Sequence, residues 1–352
     1  MKTLLVLISA ALGMAATSSA ATYTLQDAFK VGAFIEGDFQ GHNSESEGTL
    51  VIGGNLTTGQ NKYQVSLRDG AQTPHGYALA VGGNITINSN NAPGMSVLKN
   101  NAASGAVLLG GTLSAPAANA NGKDQNGNSF LNAPSVTHDV VNVSQAFTDL
   151  RAMSQKLTAL GGTAMTFDGD SQGNNINRMY LNPSIAKITD TSIMAETFYL
   201  FSVTASQLSK IKNPLQGFDF KQNGFKESDL FVFNIINDLA GTNVANLKFQ
   251  FDGSWADNIL WNVSDGNLEV TSQVSFTGSL LAPNSTFTHG NSDVNGTIIA
   301  KSYTTNGGSA ELHPVLFNGT PAVPPVGVVV PEPSSLVVGA LLGLGLFRRQ
   351  RR

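Results

Sequence analysis

Five histidines, His42, His75, His138, His289 and His313, are the side chains best suited to ligate a metal or move a proton near neutral pH. No two of them stand at metal-ligand spacing, so no metal site is expected. His313, inside Glu311-Leu312-His313, reads as a packed or hydrogen-bonded structural residue. The acids Glu36, Asp38, Glu45 and Glu47 crowd one short stretch. Paired carboxylates on an extended scaffold are the equipment of a polysaccharide lyase or glycosidase. That chemistry would need several of Glu36, Asp38, Glu45, Asp168 and Asp170 to converge with a histidine. Acids in so polar a context are ordinarily just solvated, and no catalytic residue is assigned. Asp168-Gly169-Asp170-Ser171-Gln172-Gly173 begins like a calcium loop, with acids first and third and glycine sixth. Met179 then stands at the twelfth position, where a bidentate Glu belongs, so a surface turn is the better reading and no cofactor is expected. Gly53-Gly54 lacks the Lys-Ser/Thr of a phosphate loop, and no Gly-x-Ser-x-Gly nucleophile motif occurs. Absence of cysteine removes thiol catalysis, thiolate metal ligation and disulfides.

What must position these residues is a chain of 352 residues with a formal charge of −4, which gives no pull toward nucleic acid. Charged residues are only 12%, while glycine reaches 37 and Asn, Thr and Ser are abundant. Such a chain suits β architecture with many tight turns.

Three segments echo one another: Leu50-Val51-Ile52-Gly53-Gly54-Asn55, Leu79-Ala80-Val81-Gly82-Gly83-Asn84 and Val107-Leu108-Leu109-Gly110-Gly111-Thr112. Their glycine pairs start at 53, 82 and 110, a nearly constant period that marks stacked repeats. Each copy is an apolar strand, a Gly-Gly bend and a short alternating strand. One copy cannot bury its own apolar face, whereas stacked copies share a core. Asn at the turns can ladder from coil to coil. The theme returns at Gly278-Ser279-Leu280-Leu281-Ala282 and Gly296-Thr297-Ile298-Ile299-Ala300 at shorter spacing. Between the halves Val143, Phe147, Leu150, Met153 or Ser154, Leu157 and Leu160 recur at helical intervals. Ser144 is the expected N-cap and Gly161-Gly162 the stop. Further strands are predicted at residues 198–203, 230–236, 247–251, 259–263 and 268–276. The fold expected is mostly β: a right-handed parallel β-helix, or β-solenoid, with one long flanking α-helix. An ice-binding solenoid would show Thr-x-Thr on every coil; Thr57, Thr86 and Thr112 sit near equivalent positions without forming such a set.

The ends read as addresses. Residues 1–20 have a basic start, a short apolar run and small residues before a cut between Ala20 and Ala21, as in a secretion signal. Residues 319–330 form a Pro- and Val-rich spacer. Residues 331–352 hold Pro331-Glu332-Pro333, an apolar stretch, and the basic stop Arg348, Arg349, Arg351 and Arg352. As a helix, residues 334–347 would span about 21 Å, short of a hydrocarbon core of about 30 Å but adequate for a transient span. The arginines would remain cytoplasmic, which leaves the body outside.

This tail resembles the PEP-CTERM sorting signal. The resemblance implies a Gram-negative host, an exosortase-type protease that cuts near the motif, and company with exopolysaccharide export. Residues 21–318 resemble the choice-of-anchor A domain. That likeness rests on Phe34-Ile35-Glu36-Gly37-Asp38-Phe39, the Gly-Gly-Asn segment, the long helix, Phe233-Asn234-Ile235 and Ile259-Leu260-Trp261-Asn262. It rests also on the two late glycine segments and on Glu311-Leu312-His313 before Phe317. It implies an adhesin-like β-helix that brings no catalytic residues. The expectation is therefore an exported structural or adhesive protein of the cell surface or extracellular matrix, transiently anchored in the inner membrane by its C-terminal helix. Its expected partners are the sorting protease and extracellular polysaccharide or cell-surface glycans, with a polysaccharide-active enzyme and an ice-binding protein as alternatives.

Overall fold

The computed structural model describes residues 20–322, apart from 43, 70, 91–92, 100–104, 117–122, 124, 127, 170–175, 212–214, 219, 239–242, 245–248, 271–274 and 306–310. The signal segment before Ala20, most of the spacer, Pro331, Glu332, Pro333 and the terminal arginines lie outside the described residues. Among the described residues no helix is long and apolar enough to cross a membrane.

The chain winds into a parallel β-helix of three walls with one long helix, Ser144–Leu160, laid against one wall. On this helix-side wall the strands in spatial order are Thr163–Ala164, Phe198–Thr204, Leu230–Ile236, Ile259–Val263, Ser279–His289, Ile298–Thr305, Ala33–Ile35, Leu50–Ile52, Leu79–Val81, Ala106–Leu109 and Ser135–His138. The order in space is not the order in sequence. A first stack starts mid-rod at Ala33 and climbs to one end. The helix carries the chain back past the starting point, and a second stack then grows from the other end until Ile298–Ala300 pairs with Ala33–Ile35. The helix covers the middle of this return, from Val143 beside Gly53 to Gly161 at Asn234, five rung spacings away. Its 17 residues cover about 25 Å, and five rungs at about 4.8 Å make about 24 Å.

The helix-side segments between the two exposed end strands, Thr163–Ala164 and Ser135–His138, are apolar with little alternation because both their faces are covered. One inward column runs in register through Phe201, Phe233, Trp261, Leu280, Ile298, Ala33, Leu50, Leu79 and Val107. The adjacent outward column packs beneath the helix, where Phe34 stacks on Phe147 at 5.3 Å. Within that column Asn234 and Asn262 interrupt the apolar surface. Asn234 Nδ2 donates to the Leu157 and Gly161 carbonyls, both at 2.7 Å. Asn262 Oδ1 accepts from Ser154 Oγ at 2.6 Å, and its Nδ2 donates to Asn234 Oδ1 at 2.8 Å. These amides tie the helix to the second stack and supply donors to its last carbonyls.

Several sequence expectations are adjusted. Ser144 is the first helical residue and not the N-cap. The cap position is Val143, and Asn142 Oδ1 accepts from Ser144 N at 3.1 Å, because Val141–Asn142 is still strand paired with Ala21–Thr22. Leu160, assigned to the buried stripe, is 43% exposed, while Gly161 and Gly162 at φ +74° and +108° end the helix. The single strand expected over 268–276 is divided: Asn267–Val270 lies on one wall and Phe276–Thr277 on another. Gly278 and Gly296 occupy a different corner from Gly53, Gly82 and Gly110, at the entry to the helix-side wall rather than its exit.

Candidate binding face

Among the described residues the long helix lies on the first wall and not on the second. Its rungs are the ends of Ser279–His289 and Ile298–Thr305, followed by Phe39–Gly41, Leu56–Thr58, Ile85–Ile87 and Leu113–Ser114, with Asn267–Val270 beyond. Strand alternation sends every second side chain inward. Phe287, Tyr303, Phe39, Leu56 and Ile85 are accordingly buried. Their neighbours face solvent. The column Glu269, Thr288, Thr304, Gln40, Thr57, Thr86 and Ser114 is in register throughout. One position before each inward residue, at the corner, stand Thr286, Ser302, Asp38, Asn55, Asn84 and Thr112. Six consecutive rungs thus each present a polar–apolar–polar triplet. The two polar columns lie roughly 7 Å apart, and six rungs extend about 24 Å.

The corner column is a hydrogen-bonded ladder. Asp38 Oδ1 accepts from Asn55 N at 2.7 Å, Asn55 Oδ1 from Asn84 N at 2.9 Å, and Asn84 Oδ1 from Thr112 N at 2.9 Å. The coil-to-coil ladder expected at the turns is thus present, and it serves backbone N–H groups at an exposed corner. The glycine pairs lie just before it. A Cβ on Gly82 would fall 2.3 Å from the Gly53 carbonyl oxygen, and one on Gly110 2.2 Å from that of Gly82. Gly53, Gly54, Gly83 and Gly111 are equally hemmed by the preceding coil, so the corner is built from backbone in direct contact. Ala21, at the expected signal cut, pairs with Val141 beside the helix start.

Beyond this wall an open groove of about 650 Å³ is lined by His42, Gly59, Gln60, Asn61, Asn88, Asn90 and Pro116. The acids named in the sequence do not share it. Glu36 is paired with Arg151 on the helix side, and Asp38 is spent on the ladder. Glu45 accepts from Gln64 on the third wall, and Glu47 is buried against Arg68. Asp168 sits in an antiparallel hairpin at the far end, and Asp170 lies outside the described residues. His75 packs edge-on against Tyr23 at 4.6 Å, and His138 is exposed on the last helix-side strand. His289 is buried, accepting from Tyr303 Oη at 2.7 Å while its Nε2–H donates to the Ser292 carbonyl. Burial pulls its pKa down to about 4, against the opposing pull of that carbonyl and of Asp293.

Thr57, Thr86 and Thr112 do not form one set, as the sequence led us to expect. Thr57 and Thr86 are in register, Thr112 belongs to the corner column, and Ser114 takes the place beside Thr86. Thr286, Thr288, Ser302 and Thr304 complete the array because the last coil docks on the first. Nothing in the linear sequence joins residue 304 to residue 40.

A rod of stacked parallel coils, closed by a helix on one wall and presenting a regular polar array on another, has the build of an adhesive surface solenoid. The sequence from 26 to 313 matches the family described as "Putative Ice-binding-like adhesive domain", and the chain belongs to that family of adhesive surface proteins. No curated protein matches the sequence. Among solved structures, the ice binding protein from an Antarctic bacterium Flavobacteriaceae is similar at 13% identity over 81% of this chain and 80% of that one, with a TM-score of 0.23. A likeness that slight carries no argument about this molecule.

Proposed function

We propose that this is an exported cell-surface or matrix-associated adhesin whose open wall binds extracellular polysaccharide. The observation that supports this is the six-rung array of hydroxyls, amides and one carboxylate on a wall with its polar columns facing outward among the described residues. Polyols are recognised by such mixed donors and acceptors. Each contact is weak, so binding strength comes from many rungs and many copies on a surface. The amide-lined groove at the edge of the wall extends the same chemistry.

The exit of the chain agrees with this presentation. Ala195 N donates to the Thr320 carbonyl at 3.0 Å and Ala322 N to that of Ile193 at 2.9 Å, while Phe317 packs in the helix-side cluster. The last described residues, up to Ala322, therefore lie on the helix side. In this reading the chain is a choice-of-anchor A protein. Its tail from Pro331 is a PEP-CTERM signal, held transiently in the inner membrane with the arginines cytoplasmic and cut by an exosortase-type protease. Comparing the mature C-terminal mass and location in cells with and without that protease tests the sorting. Identical full-length protein in both would remove it.

Ice is the second reading, favoured by the hydroxyl pairs Thr286/Thr288, Ser302/Thr304 and Thr112/Ser114. Asp38 and Gln40 stand between these pairs and disrupt a flat hydroxyl lattice, so polysaccharide is preferred. The double change Thr57→Lys, Thr86→Lys places two bulky cations at mid-wall. We expect at least tenfold weaker binding to the host's purified exopolysaccharide, about 1.4 kcal/mol, with an unchanged circular dichroism spectrum. Undiminished binding by this variant excludes the wall. Thermal hysteresis by the parent protein, without polysaccharide binding, moves the assignment to ice.

A further inference from the structure

The seam where the last coil meets the first brings together, on the third wall, residues from the two halves of the chain. Leu312–His313 pairs with Val294–Asn295 on one side and with Glu45–Ser46 on the other. We infer that Glu47, Glu311 and His313 form a site for a divalent transition-metal ion of the zinc class, which clamps the first stack to the second.

The geometry carries this in three ways. First, the three donor atoms all lie within 4.8 Å of one another. His313 Nε2 is 3.0 Å from Glu311 Oε2 and 3.6 Å from Glu47 Oε2. Two ligands of one tetrahedral zinc, with bonds of about 2.1 Å, stand roughly 3.4 Å apart. Second, Glu47 is 7% exposed, and its Oε2 is buried with no hydrogen-bond partner, although Arg68 pairs with the other oxygen. A buried carboxylate oxygen without a donor is costly. A proton on His313 Nε2 would serve Glu311, but at 3.6 Å it would leave Glu47 Oε2 unserved. A cation among the three satisfies all of them. Third, His313 Nδ1 lies 3.2 Å from Asn295 Oδ1, which can only accept. A neutral ring therefore carries its proton on Nδ1, which leaves the Nε2 lone pair on the side of the carboxylates, as in sites where a second residue orients a metal-binding histidine.

The imidazole selects the class of metal, since calcium and magnesium prefer all-oxygen shells. Glu311, with 44% of its side chain exposed, lines an open groove of about 380 Å³ with Ser44, Glu45, Lys62 and Gln64. That groove supplies an entry path and room for a water as fourth ligand. A chain without cysteine gains in this ion the cross-link that a disulfide supplies elsewhere. Spacing along the sequence concealed the site, because Glu47 and His313 stand near opposite ends of the chain.

The test is calorimetric titration of the metal-stripped full chain with zinc chloride, with calcium chloride in parallel. We expect one zinc per chain and an unfolding temperature that rises with the logarithm of free zinc. Glu311→Gln and His313→Gln should each weaken binding at least tenfold, and Asn295→Ala about tenfold. Glu311→Gln alters a half-exposed side chain, so it still tests the site if His313→Gln folds poorly. Absence of saturable zinc binding overturns the site. Binding undiminished in Glu311→Gln also overturns it, placing the ion on His42, His75 or His138. Equal affinity for calcium overturns the assignment to an imidazole-centred metal.

Discussion

The first stack, from Ala33 to His138, and the second, from Thr163 to Thr305, share one inward column yet hold their coils in register by different means. In the first, that column is aliphatic: Ala33, Leu50, Leu79 and Val107. Register there is held at the corner, by glycine pairs in backbone contact and by the Asp38–Asn55–Asn84–Thr112 ladder. In the second, the column turns aromatic. Phe201 stacks on Phe233 at 5.7 Å and Phe233 on Trp261 at 4.7 Å, and Trp261 Nε1 donates to the Thr277 carbonyl at 2.9 Å. There register is held from inside, by rings, and from the flank, by Asn234 and Asn262 gripping the helix. In the first stack an opening coil of 17 residues, from Ala33 to Leu50, is followed by three coils of 29, 28 and 29 residues, from Leu50 to Val136. Rings and flank contacts leave the loops free, so the coils of the second differ in length. The polar wall crosses the seam between the stacks, and neither stack alone presents it.

The largest effect should come from the corner of the first stack. Gly110→Val drives a side chain into the Gly82 carbonyl and should cost more than about 4 kcal/mol, read as loss of the cooperative unfolding transition. Valine at Gly253, where a Cβ meets nothing, should be far milder. Equal losses would show that corner contact is not what matters. Trp261→Ala should cost about 3–5 kcal/mol, with faster hydrogen exchange confined to the second stack. Exchange spread evenly over both stacks would dissolve the distinction between them.

Buried histidine makes a third contrast, because His289 belongs to the second stack only. Its pKa falls from an ordinary 6.5 to about 4 on burial. Between those values the unfolded chain binds a proton that the folded chain refuses, so stability falls as pH drops from about 6.5 toward about 4 and is complete above 6.5. The loss is about 3 kcal/mol, measured as denaturant midpoints at pH 4.5 and 7, with amide exchange rising first in the second stack. A smaller effect is expected for Asn234→Ala, which leaves the Leu157 and Gly161 carbonyls without that donor and should cost about 1–3 kcal/mol. The smallest is Asn84→Ala at the exposed corner, about 1 kcal/mol, since water can replace the lost bonds. A loss there as great as at Asn234 would mean that the ladder, and not glycine contact, sets the register of the first stack.

These contrasts also explain what could be read before folding. The glycine pairs at 53, 82 and 110, the unbroken apolar runs before them and the alternating strands after them are local patterns. Each follows from backbone contact or from which faces are covered, so a stacked β-helix with a flanking helix was legible. The aromatic stack left only scattered Phe and Trp at unequal spacing, and Asn234 and Asn262 read as ordinary strand residues until a helix lay above them. The seam left no local mark at all. Ile298 on Ala33, Thr304 on Gln40 and Glu311 with His313 beside Glu47 are neighbours only because the helix returns the chain past its own start. Periodicity reports what a residue meets one coil away in sequence. The polar wall and the Glu47–Glu311–His313 cluster depend on coils at opposite ends of the chain, and closing the stack on itself is what decided them.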